Sequence, residues 1–150
     1  METLKIITYP NKILKNKSQL IVKENILQFV DLGRSMIKLM LDSNGVGLAA
    51  PQIGQNICLI VINKEVTPDD KDLILFNPKI TFKSKETSVL QEGCLSLPKI
   101  FQDIKRPDKI RVNALNEKGE KIQLKAKSFF SHVLQHEIDH LHGILIIDHV

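Results

Sequence analysis

Ser128-Phe129-Phe130-Ser131-His132-Val133-Leu134-Gln135-His136-Glu137-Ile138-Asp139-His140-Leu141-His142-Gly143 is the stretch on which the reading of this chain turns. Ser128 suits the start of a helix and Gly143 its stop, which predicts a helix from Phe129 to about Leu141. His136 and His140, four apart, then project from one helix face one turn apart, a spacing that grips a single metal ion. Glu137 lies beside them, placed to take a proton from a water that the metal polarises.

A catalytic metal needs a third protein ligand. The extended metalloprotease pattern takes a histidine six residues after His140, where this chain has Ile146. Asp148 and His149 are the only other later candidates, and both sit on a short tail. His132 precedes His140 by eight residues, roughly 12 Å along a straight helix axis. Ligands about 2 Å from one ion cannot span that distance, so the third ligand lies upstream. Cys58, inside the apolar run Ile57-Cys58-Leu59-Ile60-Val61, reads as a buried structural thiol. Cys94 stands in Glu92-Gly93-Cys94-Leu95-Ser96-Leu97-Pro98, where Gly93 permits close backbone approach and Pro98 limits regular pairing. A thiolate there can reach a metal, and the Leu95 amide can point into the site. A third segment, Gly45-Val46-Gly47-Leu48-Ala49-Ala50-Pro51-Gln52, has glycines that suit a backbone lying against an extended ligand. Its Gln52 can donate to a developing oxyanion.

Outward from these segments, the 150 residues read as one domain, 1–150, long enough to bury a core. Hydrophobic content of 43% and charged content of 25% are ordinary for a soluble protein, and no apolar run is long enough to span a membrane. Met1-Glu2-Thr3-Leu4-Lys5 lacks the basic-then-apolar pattern of a signal peptide. Two cysteines are too few for a disulfide framework, which points to a reducing compartment such as the cytoplasm; an organellar form would look similar. The 21 basic residues are scattered among 17 acidic ones, so no direct nucleic-acid site is evident. Ile26, Phe29, Val30, Gly33, Met36, Ile37 and Met40 predict an amphipathic helix over about 25–43, ended by Ser43-Asn44-Gly45. Ile57 to Ile62 predicts a buried strand, and Leu73–Phe76 and Lys79–Lys83 predict strand pieces broken at Asn77-Pro78. Alternation at Ile110, Val112, Ala114 and at Ile122, Leu124, Ala126 predicts a hairpin turning at Asn116-Glu117-Lys118-Gly119. The expected class is α+β, with mostly antiparallel strands around the central helix that carries the histidines.

At three segments the chain resembles the peptide deformylases. The family's glycine-rich motif ending in Ala-Ala-x-Gln corresponds to Gly45–Gln52, its Glu-Gly-Cys-apolar-Ser motif to Glu92–Ser96, and its His-Glu-x-Asp-His helix to His136–His140, preceded by Gln135. Order and spacing agree, and Tyr9-Pro10, Asn77-Pro78 and Gly143 extend the match across nearly the whole chain. The resemblance implies a metal-dependent hydrolase that removes the formyl group from nascent polypeptides beginning with formylmethionine. It implies Cys94, His136 and His140 as metal ligands, Glu137 as general acid/base, and Gln52 with the Leu95 amide as the oxyanion site. It further implies Fe²⁺, replaceable by Zn²⁺, Ni²⁺ or Co²⁺, and an apolar methionine pocket from Val46, Leu90, Phe129 and Val133. Gly45, Gly47 and Gly93 belong to the same substrate-binding set, and Glu92 with Arg106 to a supporting pair.

Two departures stand out. His132 takes a position one turn before the first histidine where the family usually has an apolar residue, which makes the pocket's polarity an open question. Many members also continue past this point with a helix that can dock on the ribosome, so ribosome association is expected from function without a visible docking element. The other readings are a metallopeptidase on the same site, a non-catalytic metal-binding protein of this fold, and a hydrolase of small formamides.

Overall fold

Apolar residues at helical spacing put the first helix where the sequence predicts one, but with a tighter start. In the computed structural model, which describes residues 3–149, a 3-10 segment Lys23–Phe29 runs into α1 (Val30–Asp42). Met1, Glu2 and Val150, included in the expected domain, lie outside the described residues. Asn44, at φ 59°, takes the left-handed exit of α1 rather than Gly45; Asn adopts that conformation more readily than other side chains. Gly45 is small for another reason, since a Cβ there would come within 2.8 Å of the Leu95 side chain.

Five strands, β1 (Gly47–Ala49), β2 (Leu59–Ile62), β3 (Leu73–Lys83), β6 (Lys109–Leu115) and β7 (Lys121–Lys127), form one sheet in the order β1-β2-β3-β6-β7. All four pairings are antiparallel. A separate hairpin pairs β4 (Thr87–Cys94) with β5 (Leu97–Pro107). The α+β expectation is borne out. β2 is buried throughout because both sheet faces are covered. Leu59 and Val61 join Met36 and Met40 of α1, while Ile60 and Ile62 join Leu134 and Ile138 on the other face.

Three local expectations are corrected. β2 starts at Leu59, because Ile57 instead bridges Gln19. β3 is continuous through Asn77-Pro78, which form a bulge rather than a break. Pro78 has no N–H to give, and Asn77 (φ 52°) turns its amide to the Ile21 backbone, accepting from its N–H at 2.8 Å and donating to its carbonyl at 2.7 Å. Finally, α2 (Ser128–Leu141) has no side-chain cap; Ser128 is its first residue, at φ 55°, and donates its N–H to the Asp108 carbonyl at 2.9 Å. A backbone acceptor already serves the amide that brings Ser128 into the helix.

α2 is buried along most of its length, with the sheet on one side and the β4–β5 hairpin on another. The N-terminal segment straps these parts together. Ile7 N–H donates to the Gln52 carbonyl (2.7 Å), Tyr9 N–H to that of Ser96 (2.9 Å) and Ser18 N–H to that of Leu141 (2.8 Å). Gly143 (φ 73°) ends α2 where a Cβ would run into the Lys15 carbonyl. Among the described residues no helix is long and apolar enough to cross a membrane.

Candidate metal centre and active site

Helical periodicity puts His136 and His140 on one face of α2, with ring centroids 5.0 Å apart. β4 delivers Cys94 against them, and β5 begins at Leu97, so the thiol sits at the tip of a tight hairpin. One ligand atom from each of Cys94, His136 and His140 lies within 4.8 Å of the others, the only such group of three among the described residues. Cys94 Sγ is 3.4 Å from His140 Nε2. Cys58 is buried in the core instead, where burial pushes its thiol up. Asp148 pairs with Lys15 at 2.6 Å and His149 with Asp139 at 2.9 Å, so neither later candidate joins the cluster.

The chemistry of the donors fits a cation. Burial alone would lower His136, but its hydrogen bonds to Cys94 and Glu92 and the negative surroundings made by Glu137 and Cys94 lift it to about 10. Burial, His136 and Arg106 together hold His140 well below its ordinary value. One imidazole thus draws a proton that its neighbour refuses. A divalent ion among one thiolate and two neutral imidazoles retains net positive charge, and its binding releases that proton. Glu137, 4% exposed, has its Oε1 buried without a partner, and burial raises the carboxyl to about 7. A buried carboxylate oxygen left open beside three converging ligands suits a group that handles a proton.

Glu92 fixes which nitrogen His136 presents. Its Oε1 accepts from His136 Nδ1 at 3.1 Å, which leaves Nε2 free for the ligand cluster. The same carboxylate takes both Nε and Nη2 of Arg106, at 2.7 and 2.9 Å, and the Nδ1–H of His132 at 3.1 Å. Burial would raise Glu92, but the hydrogen bonds and charges of His136 and Arg106 outweigh it and bring it to about 2. Arg106 continues to Asp139 at 2.8 Å, which ties the hairpin to α2 a second time.

His132 is 1% exposed, and Ser88 Oγ lies 2.9 Å from its Nε2. Both ring nitrogens are therefore engaged, by Glu92 and Ser88, and the ring also lines the cavity beside the cluster. Gln52 is equally fixed. Its Oε1 accepts from Ala49 N–H at 2.9 Å, which orients the amide, and its Nε2 reaches Ser96 Oγ at 3.1 Å and Cys94 Sγ at 3.6 Å.

A cavity of about 460 Å³ opens onto this cluster. Gly45, Val46, Gly47, Gln52, Leu90, Gly93, Cys94, Leu95, Phe129, His132, Val133, His136 and Glu137, every expected site residue except His140, line it. Gly47 lies so close to Glu137 that a Cβ would stand 2.7 Å from its Oε2. Sequence reasoning missed Ser88, Ser96 and Asp139 as supports, and Ile100 and Phe101 of β5 as cavity walls. Phe101 is exposed and packs on Gly93, a contact set by the hairpin register that no local sequence pattern shows.

The profile of the polypeptide deformylase family matches residues 3–150. A peptide deformylase from Desulfotalea psychrophila is 41% identical over 152 aligned positions, covering all of this chain and 89% of that relative. A chloroplastic peptide deformylase 1B from Oryza sativa is 37% identical, over 97% of this chain and 54% of its own length. Among solved structures, peptide deformylase from Thermotoga maritima superposes with a TM-score of 0.90 at 34% identity, over 100% of this chain and 99% of that one.

Proposed function

The chain belongs to the polypeptide deformylase family, and from that premise we propose which of its residues carry the reaction. The family's reaction, and this chain's, is hydrolysis of the N-terminal formyl group of nascent formylmethionyl polypeptides, which releases formate. The enzyme is metal-dependent. The observation that carries the assignment is the convergence of Cys94, His136 and His140 beside a buried Glu137 with an open oxygen. Residues 1–150 form the catalytic domain, with the metal held by those three side chains. The ion is Fe²⁺ as the family resemblance implies, with Zn²⁺, Ni²⁺ or Co²⁺ able to replace it; a thiolate with two imidazoles suits divalent first-row ions such as iron, nickel and zinc.

When bound, the ion supplies a Lewis acid at the formyl group and acidifies the attacking water. Glu137 accepts that water's proton as the oxygen attacks the formyl carbon. Gln52 Nε2, giving up its long 3.6 Å contact with Cys94 Sγ, and Leu95 N–H donate to the oxyanion as the carbonyl π bond opens. Glu137 then returns the proton to the departing nitrogen, the C–N bond breaks, and formate and a free α-amine leave. Glu92 holds His136 in one tautomer throughout. Val46, Leu90, Phe129 and Val133, with Gly45, Gly47, Gly93 and the ring of His132, form the methionine pocket. An unbranched thioether fills such a slot well.

A metallopeptidase is disfavoured because Ile146, 2% exposed in a hydrophobic cluster, occupies the position where that class places its third histidine. The setting is the cytoplasm, with transient ribosome association as a corollary of a nascent substrate. Anaerobically prepared enzyme should release formate from formyl-Met peptides and leave blocked internal peptides intact. Cys94→Ala should lose both bound metal and formate release; full metal occupancy in that variant would overturn the ligand set.

A further inference from the structure

The register of β6 and β7 gathers cations that the sequence scatters. Arg111 stands directly opposite Lys125, and Lys109 opposite Lys127, all four exposed on the outward face of the sheet. Like charges directly opposite one another on a sheet face are destabilising. None of the four takes part in an ion pair within 4.0 Å among the described residues. They border a groove of about 560 Å³ whose lining includes no carboxylate. Asp108 and Glu120, the nearest acidic residues in sequence, lie just outside the two strands.

The groove also holds two exposed rings. Phe82, 45% exposed, carries the Arg111 guanidinium 5.1 Å from its ring centroid. Phe129, 48% exposed, lines both this groove and the substrate cavity. Cations two apart on a strand are spaced by about 6.8 Å, so four of them present a regular array to a flexible polyanion. An acidic peptide would use the cations and leave the rings idle, and a lipid surface would not enter a groove. A positively charged groove with aromatic platforms is how proteins hold single-stranded nucleic acid without reading its sequence.

We propose that the outward face of β6 and β7, with Phe82 beside it, is a docking surface for single-stranded RNA. Phosphates lie against Lys109, Arg111, Lys125 and Lys127, and bases stack on Phe82. The substrate of this enzyme is made on an RNA-rich particle, and such a surface would hold the catalytic cavity near emerging chains. The inference does not depend on the metal ligands, and its test uses no substrate turnover to detect binding.

Fluorescence anisotropy with a labelled oligouridylate of twelve nucleotides should detect binding at low salt that weakens as salt rises. The double variant Lys125→Glu, Lys127→Glu should bind at least tenfold more weakly, with the salt slope smaller by at least about 1.4. Phe82→Ala should weaken binding several-fold and leave the salt slope unchanged. The control Lys12→Glu, Lys38→Glu, on other elements, should bind like the parent. The K125E/K127E protein should melt no lower than the parent, because Glu opposite Arg111 and Lys109 relieves the like-charge pairs. Its hydrolysis of a formyl-Met tripeptide should be unchanged. Absence of binding at low salt would overturn the proposal. So would equal loss in the control variant, or binding indifferent to K125E/K127E.

Discussion

Glu137 shows how one side chain sets stability against use. Burial lifts its carboxyl from 4.5 to about 7. Below pH 4.5 the group is neutral in both folded and unfolded chains and nothing is lost. Between 4.5 and 7 the unfolded chain releases the proton while the fold keeps it, so stability falls, by about 3 kcal/mol in all, and then levels. Glu137→Gln should remove that fall: stripped of metal, it should unfold at higher urea than the stripped parent at pH 8, and loaded with metal it should hold the ion but release no formate. Measurable turnover in this variant would take the proton-transfer role away from Glu137. His132 makes a second residue-scale case. His132→Leu strips a hydrogen bond from buried Glu92 and leaves Ser88 unpartnered, at a cost of about 1–3 kcal/mol. The Michaelis constant for formyl-Met peptides should change little, because Glu92 and Ser88 already hold both ring nitrogens; a large change would put His132's polarity in the pocket.

At the scale of elements, the site is an encounter of β1, the β4–β5 tip and α2. Gly47→Ala should test the closeness of that encounter. The new Cβ would displace the Glu137 carboxylate or push β1 off the helix, and a misplacement of about 1 Å costs on the order of a hundredfold in rate. Steady-state kinetics should show the loss in kcat with metal content intact. α2 was legible in sequence because its chemistry is local: His136, Glu137 and His140 are neighbours on one turn. β6 and β7 were legible from alternation and the Asn116–Gly119 turn, where the Asn116 side chain accepts from Lys118 and Glu120 N–H. β4 was not, since its alternation runs through Ser88, Leu90 and Glu92, which face a cavity and a buried ion pair rather than an apolar core. Its partners, His132 and Arg106, lie far along the chain, and no local pattern announces them. The start of α2 was misread for the same reason, as its acceptor is a carbonyl twenty residues upstream, at Asp108.

Over the whole molecule, Glu92, Arg106 and Asp139 join the hairpin to α2 with buried charge. Glu92 has the opposite sign to Glu137. Held at about 2 in the fold against 4.5 unfolded, its contribution is complete above pH 4.5 and is lost as pH falls toward 2. Arg106→Leu, which takes the guanidinium away from Glu92 and Asp139 and leaves them only their histidine partners, should destabilise the fold by about 3–5 kcal/mol at pH 7. The difference from the parent should shrink at pH 3; a pH-independent difference would mean that packing, not charge, is what Arg106 supplies. The N-terminal strap imposes a different constraint, one of birth order. Ile7, Tyr9 and Ser18 are made before their acceptors at Gln52, Ser96 and Leu141, which follow progressively later. The strap cannot seat until α2 has been synthesised to its end. An enzyme that works on newborn chains therefore completes its own site only once its last catalytic helix has been made.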